Sequence, residues 1–440
     1  MGGEAARQVV RDPGVEGAIA AAQQVDHPGH ACKLAAAAPR RHFCPAVRRI
    51  LAWCLFDFAN SAYSAVIVAT VFGIYYTTTI VGNERGLGDL WWGRVISASM
   101  IAVALTGPVL GALADRAGRR KQAFVTFTLL CIACVALFAT IRPGMIVWGF
   151  ALAALANFAF ESAQIYYNAY LPDVAPPERL GTVSGLGFGI GYLGSIVGLL
   201  IALPLAAAHR LDLLWLAVAG FFAVFSLPAF LVLPAAPPRP AAFDVWRLAR
   251  DVFGRPDLRR FLLAYFVYLD GVETTIYFSG IFAAKTLGFT TPEVIKLFLA
   301  VQASALVGSL LLARPTDRWG PKRVLMGTLF LWIGVSIGAY FAQTKAMFFG
   351  VAVIAGFGLG PVQAASRALM ASLIPRGQEA EMFGFYAFCG KSSAVLGPLV
   401  FGAVSYLLSG NQRAAVAAVG VFFAVGLLLL QRVRPARPAE

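Results

Sequence analysis

Gly111-Ala112-Leu113-Ala114-Asp115-Arg116-Ala117-Gly118-Arg119-Arg120-Lys121 sits between two long apolar runs. A decayed copy, Ala313-Arg314-Pro315-Thr316-Asp317-Arg318-Trp319-Gly320-Pro321-Lys322-Arg323, recurs in the same kind of place in the second half of the chain. A short basic segment with Asp, Arg and Gly at fixed spacing, present twice, predicts a chain of two like halves. A second register agrees: Pro172 with Pro375, Gly181 with Gly384, Gly187 with Gly390 and Gly194 with Gly397 all keep an offset of 203.

Composition identifies the solvent in which those halves fold. Hydrophobic residues make up 59% of the 440 residues and charged ones 13%, and the mean hydropathy is +0.73, far from the averages of soluble domains. The chain divides into about a dozen apolar stretches of roughly 20 residues, each long enough as a helix to cross a hydrocarbon core. The expected spans are Leu51 to Ile80, Trp92 to Ala114, Gln122 to Thr140, Gly144 to Leu171, Gly181 to Ala207 and Asp212 to Leu233. The second half continues with Leu258 to Lys285, Glu293 to Ala313, Arg323 to Ala342, Ala346 to Leu373, Glu381 to Leu408 and Gln412 to Gln431. The expected fold is all-α and integral to a membrane, with twelve transmembrane helices in two six-helix bundles.

This arrangement resembles the major facilitator superfamily, whose basic cytoplasmic signature the segment from Gly111 to Lys121 matches. The resemblance implies two repeated six-helix bundles that rock about a shared site. The expected organisation is a disordered cytoplasmic tail at 1–47, a first bundle at 48–233, a linker with an amphipathic helix at 234–257, a second bundle at 258–431 and a short tail at 432–440. A true start downstream of Met1 is an alternative for the first of these. The linker piece Asp244 to Phe253 sets Val245, Trp246, Leu248, Val252 and Phe253 broadly to one side, as for a helix lying on a membrane surface.

The net charge of +14 follows topology rather than a nucleic-acid partner. About 26 of the 36 Lys and Arg fall in the two tails, the linker and the loops on one face, which places both termini in the cytoplasm by the positive-inside rule. A bacterial inner membrane is the expected location, or a vacuolar membrane if the chain is eukaryotic. His27, His30, Cys32, His42 and Cys44 in the tail fit no zinc spacing, and no metal or cofactor is expected. Cys54, Cys131, Cys134 and Cys389 all fall within spans and read as small apolar residues.

Two nucleotide-site lookalikes lack the required setting. Gly189-Ile190-Gly191-Tyr192-Leu193-Gly194 has no preceding strand, and Gly384 to Ser392 has one residue too many before Gly390-Lys391-Ser392. Glycines four apart, at Gly187/Gly191, Gly194/Gly198 and Gly356/Gly360, are expected to serve close helix packing in lipid.

Polar residues inside spans are the candidates for function, because a charge at the bilayer centre costs about 2.5–3.5 kcal/mol on insertion scales. Asp57, Asn60, Ser61 and Ser64 form one stripe on the first span, with Tyr63 beside it. Asn157, Glu161, Gln164 and Asn168 form another on the fourth. Asp270, Glu273 and Tyr277 lie on the seventh span, Gln363 and Arg367 on the tenth, and Lys391 on the eleventh. On the 203 register Gln164 corresponds to Arg367 and Phe188 to Lys391, so at these positions the second half carries cations where the first has none.

At these residues the resemblance narrows. Asp57-Phe58-Ala59-Asn60-Ser61-Ala62-Tyr63, Tyr167-Asn168-Ala169-Tyr170-Leu171-Pro172, Ser366-Arg367-Ala368-Leu369-Met370 and Phe383-Gly384-Phe385-Tyr386 are similar to the vacuole-effluxer branch of the superfamily. That implies a secondary transporter of amino acids or similar small metabolites, acting as a monomer, with a possible co-transported proton; the alternative is a lipid or lysolipid flippase of the same fold. Membrane lipids and the solute are the expected partners. No enzyme is expected, since no His cluster or Ser/His/Asp set faces inward. Arg367 and Lys391 are expected to receive a carboxylate, and Asp57 or Asp270 with Tyr63 an ammonium. Glu161, which stands where this branch is expected to carry an uncharged amide, is either a proton carrier or the salt-bridge partner of Arg367. Gly111, Asp115, Arg116, Gly118, Arg119, Arg120, Asp317 and Arg318 are expected to form a cytoplasmic gate.

Overall fold

The computed structural model describes residues 45–82, 87–235, 237–238, 250, 252–393, 400–401, 403–404, 407 and 412–434. Residues 1–44 of the expected tail at 1–47, most of the linker including 239–249 and Asp251, much of the segment from residue 394 to 411, and residues 435–440 lie outside the described residues, as do a few side chains within helices, Tyr277 among them.

Every long element among the described residues is a helix. In lipid the backbone must satisfy its own hydrogen bonds, and long apolar segments do so as helices. In order they are α1 (Pro45–Tyr63), α2 (Leu87–Ala117), α3 (Arg120–Leu137), α4 (Ile146–Ala169), α5 (Leu180–Ala207), α6 (Leu211–Val232), α7 (Pro256–Leu287), α8 (Thr291–Trp319), α9 (Pro321–Phe341), α10 (Lys345–Leu373), α11 (Glu379–Ser393) and α12 (Gln412–Gln431). Eleven helices among the described residues are long and apolar enough to cross a membrane. The expected eleventh span begins in α11 and runs past Ser393 into residues outside the description.

The signature segments are helix ends rather than loops. Asp115 and Arg116 belong to the last turn of α2, and Arg318 to the last turn of α8 just after Asp317. The chain reverses at Gly118 and Gly320, whose φ angles of 63° and 87° suit glycine. A reading by apolar windows stops at the first charge, whereas the i→i−4 ladder continues through it.

Beyond Tyr63, α1 does not stay regular. Ser64–Val68 and Tyr76–Val81 are π-helical and flank a short α-helix at Val71–Tyr75. Thr70 sits at φ −133° and ψ −87°, and its hydroxyl donates to the carbonyl of Ala65 at 2.7 Å. Such wide turns are uncommon and are found mostly at functional places.

The outer faces of the helices are apolar, with Leu105, Leu200 and Leu231 exposed. Inside the first six helices an aromatic core joins Phe56, Phe72, Phe124, Phe222 and Tyr167. The two sets of six meet along α2 with α11 and α5 with α8. Glycine permits these approaches: a Cβ on Gly384 would fall 2.7 Å from the Gly107 carbonyl oxygen, and one on Gly185 2.6 Å from the Ala313 Cβ.

Candidate functional site

Both signature aspartates cap helices of the opposite half. Oδ2 of Asp115 accepts the Glu381 backbone N–H at 3.0 Å, at the start of α11. Asp317 accepts two, from Gly181 at 2.6 Å and Thr182 at 2.9 Å, at the start of α5. Free N–H groups and the positive end of the helix dipole make a helix start a natural partner for a carboxylate.

Arg120 is buried at the start of α3 and crosses the same boundary. Nη2 bonds Asp173, Nη1 donates to the Ala169 carbonyl at 3.0 Å and reaches Glu379 at 3.5 Å, and the guanidinium lies over the Tyr170 ring. Arg119 and Arg318 are exposed at this end, which is called the basic end below.

A second layer lies deeper. Arg367 stands six residues before the end of α10, about 9 Å in at 1.5 Å per residue, and is 2% exposed. Nη1 and Nη2 donate to Oδ2 of Asp57 at 3.2 and 3.3 Å, Nη1 also reaches Oδ1 of Asn168 at 3.3 Å, and Nη2 donates to the Ser184 carbonyl at 2.9 Å. Nε donates to Oγ of Ser184 at 2.9 Å, and that hydroxyl donates to the Ala364 carbonyl. The guanidinium is covered by Phe188 and Trp53, 4.1 and 4.6 Å from the ring centroids. Trp53 and Tyr167 hold each other by stacking and by reciprocal bonds to backbone carbonyls. Gly187 makes the room, since a Cβ there would fall 2.5 Å from Oδ2 of Asp57.

A third layer lies near mid-membrane. Lys391 follows the start of α11 by twelve residues, about 18 Å, and its Nζ is 2.7 Å from Oε1 of Glu161 on α4. These side chains are 29% and 12% exposed, so the pair is less enclosed than Arg367. Glu273 lies within electrostatic reach of Lys391, Glu161 and Asp270. Asp270 is fully buried one turn nearer the basic end.

The family model described as "Vacuole effluxer Atg22 like" matches residues 94–180 and 178–439. The chain belongs to the Atg22-like vacuole effluxer family. It is 29% identical over 399 residues to an uncharacterized MFS-type transporter, YxiO, of Bacillus subtilis strain 168, a match covering 86% of this chain and 93% of that one. It is 27% identical over 285 residues to autophagy-related protein 22 of Cryptococcus neoformans, covering 57% of this chain and 52% of the relative. The human organic anion transporter MFSD10 has a similar fold, with a TM-score of 0.71 at 18% identity over 88% of this chain and 98% of that one. The E. coli fucose:proton symporter FucP gives 0.72 at 13% identity over 90% and 100%. The chain is thus a multi-pass membrane transporter of the major facilitator fold, working by secondary transport, and not an enzyme.

Not every expected site residue of this Atg22-like transporter takes the expected place. Glu161 bridges to Lys391 and Asp57 to Arg367, so the expected pairing of Glu161 with Arg367 is not the one formed. Gly187 leaves the space in which Asp57 and Arg367 meet, since a Cβ there would collide with both. Asn157 donates to Oγ of Ser99 at 2.7 Å and pins α4 to α2. Tyr63 is stacked on Phe160 within the first bundle. Asn60 is buried with Nδ2 unpartnered among the described residues, as is Oε1 of Gln164. Gln363 is half-buried one turn outward of Arg367. Ser184, Trp53, Asp173 and Glu379 escaped sequence reasoning; a Trp four residues before Asp57, on the same helix face, was the available signal for the second.

Proposed function

We propose that this transporter moves a small polar metabolite, an amino acid or close analogue, by alternating access coupled to a proton. The basic end is taken as cytoplasmic, with both termini there, in a bacterial inner membrane; the charge asymmetry supports this orientation. The capped aspartates, Arg120 and Arg367 close that end, which suits a conformation facing the opposite side.

The observation that carries the reading is the pair of Glu161 and Lys391, an ion pair between halves whose side chains stay partly exposed deep inside the spans. A substrate carboxylate can take Lys391 from Glu161, and Glu161 then takes a proton rather than remain an unpaired charge. Arg367 has every nitrogen engaged by protein, so its part in this cycle is to hold the halves together. These charged layers favour a polar solute over a lipid.

The test is uptake of labelled amino acids into proteoliposomes, with and without an imposed pH gradient, by wild type, Lys391→Ala and Glu161→Gln. Gradient-driven uptake lost in Lys391→Ala supports the proposal. No uptake of any amino acid by folded protein, or uptake indifferent to Lys391, refutes it.

A further inference from the structure

The two copies of the signature differ in what they leave exposed. Arg120 and Lys322 hold matching places in the copies, and both turn inward: Arg120 donates to the Ala169 carbonyl at the end of α4, and Lys322 to the Gln431 and Val433 carbonyls at the end of α12. The second copy adds groups that the first lacks. Arg314 stands where the first copy has Ala112, and Trp319 where it has Ala117. Ala112 is fully buried, whereas Arg314 is exposed and Trp319 is 59% exposed.

Arg314 and Arg318 are one turn apart on α8 and share a face. Further into the membrane the same face carries Leu311 and Val307, 62% and 47% exposed. The faces on either side are occupied: Ala313 and Thr316 lie against Gly185 and Gly181 of α5, and Gly308 and Val301 against Phe357 and Gly356 of α10. The open face therefore runs beside the seam between the halves, apolar within the spans and cationic at the basic end. Arg179 of the first half comes to the same place. Its turn, Pro177–Arg179, touches α8, and Gly181, two residues on, bonds Asp317, the neighbour of Arg318.

The side chains of Arg179, Arg314 and Arg318 make no ion pair or hydrogen bond among the described residues. Against them stand Asp317, both of whose oxygens accept backbone N–H groups, and the exposed Glu178. An arginine at the edge of the hydrocarbon extends to the headgroup layer, and its planar fork binds phosphate with two bonds. An exposed Trp suits the same depth.

We infer that the α5–α8 seam binds one anionic diacyl phospholipid, its phosphate held between Arg179 and the pair Arg314 and Arg318, and an acyl chain laid along Leu311 and Val307. The cations continue an apolar face without a break, which fits a lipid and not a soluble anion. Because the arginines come from opposite halves, the lipid braces the halves at this end, whatever solute is carried.

The test titrates the full chain in detergent with dioleoyl phosphatidylglycerol, dioleoyl phosphatidylcholine and glycerol 3-phosphate, read by thermal shift and by native mass spectrometry, which counts bound lipid independently of stability. Wild type binds phosphatidylglycerol at least about tenfold more tightly than phosphatidylcholine and ignores glycerol 3-phosphate. At roughly fivefold per arginine, Arg179→Gln weakens phosphatidylglycerol binding about fivefold and Arg314→Gln/Arg318→Gln about 25-fold. Arg119→Gln/Lys121→Gln, which removes the same charge from the first copy, keeps the preference. Equal binding of the two lipids by wild type overturns the site, as does an undiminished preference in either seam variant. So does an equal loss in the first-copy variant, because the preference then follows total charge. Glycerol 3-phosphate binding as tightly as phosphatidylglycerol overturns the lipid as occupant in favour of a soluble phosphate.

Discussion

Nζ of Lys391 lies 2.7 Å from Oε1 of Glu161, tying α11 to α4 across the two halves near mid-membrane. A charge-assisted bond of this kind contributes about 1.5–3 kcal/mol. Lys391→Ala is expected to lower uptake by roughly tenfold to a hundredfold at fixed solute concentration. Glu161→Gln is expected to flatten the pH profile of uptake while the protein stays folded, which initial-rate measurements across pH 5–8 would show; an unchanged profile would remove Glu161 from coupling.

Arg367→Ala leaves Asp57 buried without its cation, at a cost of about 3–5 kcal/mol. Unfolding in detergent should fall accordingly. The double variant Asp57→Asn/Arg367→Gln should lose clearly less than the two single losses added together, because neither charge is then stranded.

Gly187→Ala should resemble Arg367→Ala in milder form. The new methyl would meet Asp57 at 2.5 Å, Trp53 at 2.7 Å and Arg367 at 2.8 Å, and overpacking of this kind costs about 1–3 kcal/mol. A wild-type unfolding temperature in this variant would contradict the tightness of the site.

The membrane architecture was legible because lipid imposes a simple rule on long apolar segments, and the internal repeat exposed the two halves. Of the polar stripes, Asp57, Asn60 and Asn157 are buried. What periodicity could not assign was partnership across the halves: a helix face names which residues point inward but not which of them meet, and Arg367 pairs with Asp57 while Glu161 pairs with Lys391. Asn157 and Glu161 share a helix face, yet one is spent on Ser99 and the other faces the second half, because that face is wide enough to meet two neighbours.

Asp317→Ala and Asp115→Ala each remove helix-start bonds across the halves. Both should lower turnover more than apparent affinity. Comparing maximal rate and half-saturation in proteoliposomes tests this, and an effect confined to half-saturation would argue against a role in closing that end.

At the opposite end, Glu293 pairs with Lys345 at 2.7 Å. That bond, with the N–H and hydroxyl of Thr290, holds the exposed Glu293 carboxyl down at about 2. A depressed acid adds stability above its unfolded value of about 4.3 and loses it as pH falls through the folded value. The difference in unfolding temperature between wild type and Glu293→Gln should therefore be constant from pH 7 to 5 and shrink between about pH 4.5 and 2.

The two edges of the closed end are fastened alike, each by a signature carboxylate seated on the first N–H groups of a facing helix: Asp115 on Glu381 where α2 meets α11, and Asp317 on Gly181 and Thr182 where α5 meets α8. Salt screens exposed ion pairs far more than it weakens contacts of this enclosed kind. Raising ionic strength should thus leave both lips fastened, and the mouth would stay latched in a brine that loosens the surface charges around it.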